Sequence, residues 1–243
     1  MECNQRNGRS NLYDMKIAIF YHIGQVGMGA FIYQSQIHRL YTSGLIEAAN
    51  YIHFGVNGDK ELFDVPDKAI VKTNTNWKEE TDTLVSLKNF AQENPDYKIL
   101  YFHTKGSSKE TLQSQSWRLM MEYFVIDRWK ECVDYLNDYD CVGQTWLILG
   151  DTIWGNGETT PNTDNVGHYP GNFWWANASH INRLNDKYLE SNYRLDREFW
   201  IGSGIDYKAK SLKHFNQKLM SELYSAKVSL YDYYFNPQDY IEN

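Results

Sequence analysis

The sequence predicts an α/β protein with a mostly parallel central sheet and helices on both faces. Three observations carry this. Short apolar runs such as MKIAIFYHI (15–23), YIHFGVNG (51–58) and KILYFH (98–103) are continuous rather than alternating, as in strands buried on both sides. Helical patterns separate them. The runs end in polar residues, which is where open parallel sheets bind ligands.

The elements follow in order. Strand 15–23 leads through GQVGMGAF (24–31) into a helix that carries Ile32, Ile37, Leu40 and Tyr41 and closes at Ser43-Gly44. Strand 51–58 ends at Asn57-Gly58, and AIVKTN (69–74) is a third strand. A helix runs from about Glu79 to Gln92 and stops at the Asn94-Pro95 breaker. After the fourth strand, Trp117, Met121, Phe124, Val125, Trp129 and Val133 form one stripe, which predicts a single long helix over about 114–136. DCVGQTWLI (140–148) reads as a strand, and 150–167, rich in Gly, Asn, Thr and Asp, as a long loop. GNFWWANA (171–178) is a strand opened by a Pro-Gly turn and followed by a helix from about Ser179; LDREFWIG (195–202) comes next. A helix and an aromatic tail are expected over about 213–243, and residues 1–14 as a flexible lead. With no repeat or linker between them, residues 15–243 read as one domain.

Composition removes several function classes. A net charge of −7 argues against a general nucleic-acid binder. No apolar run reaches membrane-spanning length, and MECNQRNGRS has no apolar signal core, so a cytoplasmic protein is expected. Cys3, Cys132 and Cys141 form no CxxC and fit free thiols. The aromatic share of 16% suits either a dense core or a surface that stacks on sugar rings.

Four polar constellations sit at or after strand ends. The glycines 24, 27 and 29 follow the first strand, but their spacing is not GxGxxG and no acidic residue ends the second strand, so a dinucleotide oxidoreductase reading is weak. In YFHTKGSS (101–108), Lys105 supplies a point charge, Thr104, Ser107 and Ser108 supply hydroxyls, and Gly106 allows close backbone approach, while His103 can donate or accept. Such a set suits an anion, and the diphosphate of an activated sugar is the expected one. Arg118, next to Trp117 near the following helix start, is placed to reach the same anion. In HYPGNFWWANA (168–178), alternation sends Asn172 and Trp174 to one face and Phe173 and Trp175 to the other, so one side is core and the other can offer an amide and a ring to a sugar. In DREFW (196–200), Asp196 and Glu198 are either a general base between aromatic anchors or the acidic start of a helix. Asp138-Tyr139-Asp140 has the spacing of a metal-binding carboxylate pair but precedes a strand; Asp151 and Asp164 are candidate single ligands.

The ordered set YFHTKG, Trp117-Arg118, YDCVG, HYPGNFWWANASHI and EFWIG resembles GT-A-type glycosyltransferases of the rhamnan-synthesis type, which build bacterial surface polysaccharides, and related transferases of large algal viruses. The resemblance spans about 16–204. It implies a GT-A-like Rossmannoid domain that moves a sugar from a UDP-, GDP- or dTDP-sugar to a hydroxyl of a glycan, with inversion. Tyr21, His22, Ile23, Val56 and Asn57 would hold the base and ribose; His103, Thr104, Lys105, Gly106, Trp117 and Arg118 the diphosphate. His168, Gly171, Asn172 and Trp174 would face sugar or acceptor, with Glu198 as base and Asp196 in reserve. The HTKG segment stands where such enzymes carry the metal-binding DxD, so dependence on Mg²⁺ or Mn²⁺ is left open. The loop 150–167 is a candidate lid, and the aromatic tail a candidate contact with a membrane where glycans are assembled, or a cap on the core. The competing reading is a non-catalytic module that binds nucleotide sugars or carbohydrate.

Overall fold

The computed structural model of the chain describes residues 15–58, 61–74, 80–108, 111–148, 153–154, 158–159, 166–193, 195–213 and 232–241. The expected lead 1–14, most of the loop 150–167 with Asp151 and Asp164, and the helix expected before residue 232 fall outside these.

Seven strands make one sheet: β1 (Ile17–Gly24), β2 (Tyr51–Asn57), β3 (Ala69–Thr73), β4 (Lys98–His103), β5 (Cys141–Gly143), β10 (Trp174–Asn177) and β11 (Ala209–Ser211). Two small antiparallel ladders stand apart, β6 (Leu147–Ile148) with β9 (Gly167–His168), and β7 (Ile153–Trp154) with β8 (Glu158–Thr159), so the stretch read as a loop holds some strand pairing. The main order is β11-β5-β10-β4-β1-β2-β3. Every pairing is parallel except that β10 runs against both β4 and β5.

Alternation along the strands loads both faces. Ile19, Tyr21, Ile23, Phe54, Leu100, Phe102 and Trp175 enter one apolar cluster. It is covered by α1 (Gly29–Thr42), α2 (Leu45–Ala48), α4 (Leu112–Glu122), a π-helical turn (Tyr123–Asp127) and α5 (Trp129–Tyr135). Ala18, Phe20, Ile99, Tyr101, Trp174 and Ala176 enter the other, under α3 (Thr81–Glu93), α6 (Ala178–Ile181), α7 (Lys187–Glu190) and α8 (Asp196–Trp200). The predicted two-faced α/β sheet is therefore the fold.

The single helix expected over 114–136 is three pieces. Phe124, Val125 and Ile126 are all buried. A regular helix would turn one of three successive side chains to solvent; the wider π turn brings all three inward and lets the stripes before and after it keep facing the sheet. Helix α4 begins earlier than expected because Thr111 closes a capping box with Ser114: Ser114 N–H donates to Thr111 Oγ1 at 3.1 Å, and Thr111 N–H to Ser114 Oγ at 2.8 Å. The aromatic tail caps the core. Phe235 and Tyr240 are buried, and Tyr240 packs on Tyr123 at 5.5 Å between ring centres. Cys132 and Cys141 are buried, unpaired thiols. Among the described residues no helix is long and apolar enough to cross a membrane.

Candidate functional site

Strands β1 and β4 are neighbours, and the chain leaves them on opposite routes, β1 to β2 on one side and β4 to β5, beyond the antiparallel β10, on the other. Their carboxyl ends form the switch point where such sheets take ligands. The loops that follow are tied together there. Gly24 N–H donates to Thr104 Oγ1 at 2.8 Å, and Met28 N–H to Ser107 O at 2.9 Å. Thr104, expected to meet the ligand, is instead a buried strut between the two loops. Gly106 takes φ +87°, the left-handed turn that lets the chain swing from β4 toward α4.

Lys105 lies at the centre. Its side chain is largely buried, with Nζ over the Trp117 ring at 4.2 Å. The peptide of Gly171 joins two further groups: its N–H donates to Glu198 Oε2 at 3.1 Å, and its carbonyl accepts from His103 Nε2 at 2.9 Å. That bond places the His103 proton on Nε2. Gly171 sits at φ +90°, and a Cβ there would meet Met121 Sδ at 2.7 Å, so both conformation and space call for glycine. Burial would raise the Glu198 carboxyl, but Lys105, His168, the Gly171 N–H and His103 together hold it below its ordinary value. It is an ionised carboxylate at neutral pH, partly open to solvent. His22 stands beside His103, its Nδ1 3.0 Å from Thr83 Oγ1, and burial, then His103, pushes its imidazole down to about 3.

A second carboxylate, which the sequence reading did not single out, belongs to this group. Glu80 precedes α3; its Oε2 accepts from Tyr101 OH at 2.5 Å and from Asn172 Nδ2 at 3.1 Å. Burial raises it, the Tyr101 and Asn172 bonds and Lys105 lower it, the Glu198 charge raises it, and the net direction is up. The two carboxyls are thus pushed in opposite directions, Glu80 up and Glu198 down. Helix α8, which carries Glu198, is docked on α3 by Arg197, whose Nε donates to Thr81 Oγ1 at 2.9 Å.

Several expected ligand contacts are corrected by burial. Tyr21 is enclosed, stacked on Phe102 at 4.2 Å with its hydroxyl donating to Gln36 Oε1 at 2.6 Å, and Ile23 is core. Arg118 turns inward to Glu122, 3.2 Å away, rather than out to an anion. Trp174 and Trp175 are both core, with indole N–H groups on Asn172 Oδ1 at 2.7 Å and Val125 O at 2.8 Å. Asn172 is itself buried and presents no amide to a sugar. His168 packs on Phe199 at 4.4 Å, and burial takes it down to about 4 against the pull of Glu198. Asp196 is the buried first residue of α8, closed to an acceptor. Val56 belongs to a separate cavity of about 300 Å³ with Leu62, Val65, Val71 and Thr73, at the carboxyl ends of β2 and β3; Asn57 O takes the Gln25 N–H at 2.9 Å.

Asp140 holds Arg183 at 2.6 Å through Oδ1 and the Lys208 N–H at 2.8 Å through Oδ2, at the opposite edge of the sheet from Lys105. The DxD spacing there does not fit a metal at the site. Among the described residues no group of three His, Cys, Asp or Glu is placed to hold a cation. A larger cavity of about 530 Å³, lined by Ser35, His38, Arg39, Thr42 and Asp127, opens on the α1 side, away from Glu198. It gathers none of the groups just described, so chemistry rather than volume marks the site.

The model of a domain of unknown function, DUF8361, matches residues 51–143, from β2 through β5. No curated protein matches the chain significantly. Among solved structures the chain is similar to the bifunctional IspDF of Campylobacter jejuni, at 11% identity and a TM-score of 0.41, over 83% of this chain but 50% of that one. It is also similar to a 4-diphosphocytidyl-2C-methyl-D-erythritol synthase, at 10% identity and a TM-score of 0.41, over 88% and 97% of the two chains. A third is the 2-C-methyl-D-erythritol 4-phosphate cytidylyltransferase of Thermus thermophilus, at 10% identity and a TM-score of 0.36, over 88% and 99%. These likenesses are too distant to carry a functional argument.

Proposed function

We propose that this chain is a glycosyltransferase, moving a sugar from a nucleoside-diphosphate donor to a hydroxyl of a glycan acceptor with inversion at the anomeric carbon. The observation that carries the reading is the ionised Glu198 beside the Lys105 ammonium at the β1–β4 switch point. The reaction needs a base for the acceptor proton and positive charge for the departing diphosphate. In one displacement the acceptor oxygen bonds to the anomeric carbon and gives its proton to Glu198. The bond to the phosphate oxygen breaks, and its electron pair leaves with the diphosphate beside Lys105. The two groups are coupled. Lys105 is the largest influence lowering Glu198, so a diphosphate drawing on that ammonium makes Glu198 a stronger base once the donor is seated. His103, with its proton on Nε2 directed to Gly171, holds the peptide that orients Glu198. No step is assigned to a metal.

The test is a thermal-shift screen of UDP-, GDP- and dTDP-sugars with and without Mn²⁺, followed by transfer and hydrolysis assays. One nucleotide is expected to raise Tm, and to raise it further as its concentration climbs above its Kd. Lys105→Ala is expected to abolish that shift. Glu198→Ala is expected to keep it while turnover falls by about 10²-fold or more. Unchanged turnover in both variants overturns the assignment; binding without turnover toward any acceptor makes the chain a nucleotide-sugar-binding module.

A further inference from the structure

The displacement just described leaves Glu80 idle, although it is buried within the same cluster. Its contacts lead to the peptide on which both Glu198 and His103 depend. Glu80 Oε2 takes the Asn172 amide at 3.1 Å and the Tyr101 hydroxyl at 2.5 Å. Asn172 Oδ1 takes the Trp174 indole at 2.7 Å, and Asn172 N–H donates to Tyr169 O at 2.9 Å. Asn172 is held at φ +59°. Asparagine enters that left-handed region more readily than other non-glycine residues, and here its side-chain and backbone hydrogen bonds hold it there. Asn172 directly follows Gly171, whose N–H and carbonyl bind Glu198 and His103. The turn is thus fixed from below by Glu80 and read from above by the two polar side chains.

We propose that Glu80 is a positioning residue: it clamps Asn172 in its left-handed turn and so aims the Gly171 peptide at Glu198 and His103. The proposal rests on the reading of Glu198 as base. What the clamp needs is one oxygen that accepts two donors, and glutamine can supply it. The negative charge is dispensable, consistent with a carboxyl whose protonation burial favours.

The experiment compares the full chain with Glu80→Ala, Glu80→Gln and Asn172→Ala, using ¹⁵N-histidine NMR and steady-state kinetics with the nucleotide sugar found by the screen. The His103 Nε2–H, bonded to Gly171 O, should give a slowly exchanging imidazole resonance. Glu80→Ala should broaden or lose it and lower kcat by about 30-fold, with the donor KM within about threefold. Glu80→Gln should keep the resonance and stay within about threefold of the parent kcat. If Glu80→Ala does not fold, Asn172→Ala, which retains Glu80 and Tyr101, is expected to lose the same resonance. An intact resonance in Glu80→Ala or in Asn172→Ala overturns the proposal, as does equal damage in Glu80→Gln and Glu80→Ala. The NMR arm needs no turnover, so a parent chain that transfers no sugar removes the base while the clamp is still decided.

Discussion

Two buried polar networks flank the sheet, one on each face, and both reach His103. Under α1 and α4, Glu122 is fully buried and accepts from Gln36 at 2.7 Å, while pairing with Arg118 and Arg39 at 3.2 Å each. Gln36 also donates to the His103 carbonyl at 3.2 Å. Under α3 and α8, Glu80, Asn172, the Gly171 peptide and Glu198 reach the His103 imidazole instead. The first network encloses its carboxylate between two guanidinium groups and keeps it from solvent. The second ends in an ionised carboxylate that is partly exposed and shares Lys105 with its surroundings. Similar residue types thus serve support on one face and suit proton transfer on the other. What separates them is whether the charge is enclosed with its partners.

Paired substitutions test that contrast most strongly. Glu122→Ala removes the buried carboxylate that pairs with Arg118 and Arg39, a loss of about 3–5 kcal/mol. In a chain of this size that lowers Tm on the order of 10 °C. Glu198→Gln should leave Tm within a few degrees, or raise it, as strained site residues often do when replaced, while turnover falls by about 10²–10⁴-fold. Equal Tm losses in both variants, measured by calorimetry, would erase the distinction.

Acid provides the next test. Unfolded imidazole titrates near 6.5, whereas burial holds His22 at about 3 and His53 and His168 at about 4. Between those values the unfolded chain binds more protons, so this stability is full above about pH 6.5 and drains away as pH falls toward 3. At pH 5 His22 alone accounts for about 2 kcal/mol. Lowered Glu198 adds a loss of the same sign at lower pH, and raised Glu80 opposes it. Calorimetry at pH 7 and pH 5 should show Tm falling, and His22→Gln should flatten the slope; a pH-independent Tm would mean that these imidazoles are charged in the fold.

The smallest effect is expected at the far edge of the sheet. Asp140→Asn weakens the Arg183 pair, about 1 kcal/mol or less for a partly exposed partner. It should leave any Mn²⁺ response of transfer unchanged; losing that response would place a metal where the carboxylate spacing first suggested one.

Much of this architecture was legible because burial leaves a direct record in sequence. Apolar runs marked β1, β2 and β4 to within two residues at each end, and the polar residues after β4 marked the ligand edge. The direction of β10 was not legible, since GNFWWANA is equally apolar read either way. The break at Tyr123–Asp127 was hidden because a π turn changes helix periodicity without changing composition. Charge was the poorest guide. Lys105 and Arg118 both looked aimed at an anion, but the acid that claims Arg118 lies one helical turn further on, and only the folded helix turns both inward. Glu80 was overlooked because its partners, Tyr101 and Asn172, are 21 and 92 residues away.

The reversed strand has a consequence for recognition. In a wholly parallel sheet every strand brings its trailing residues to the ligand edge. Because β10 runs backwards, that edge also receives the residues that lead into a strand, and with them the sharp Gly171-Asn172 corner. The chain can therefore alter the loops after β1 and β4 without disturbing the corner before β10. The two sides of a ligand seated at that edge become separately adjustable, since they are written on stretches of sequence that enter the same edge from opposite ends.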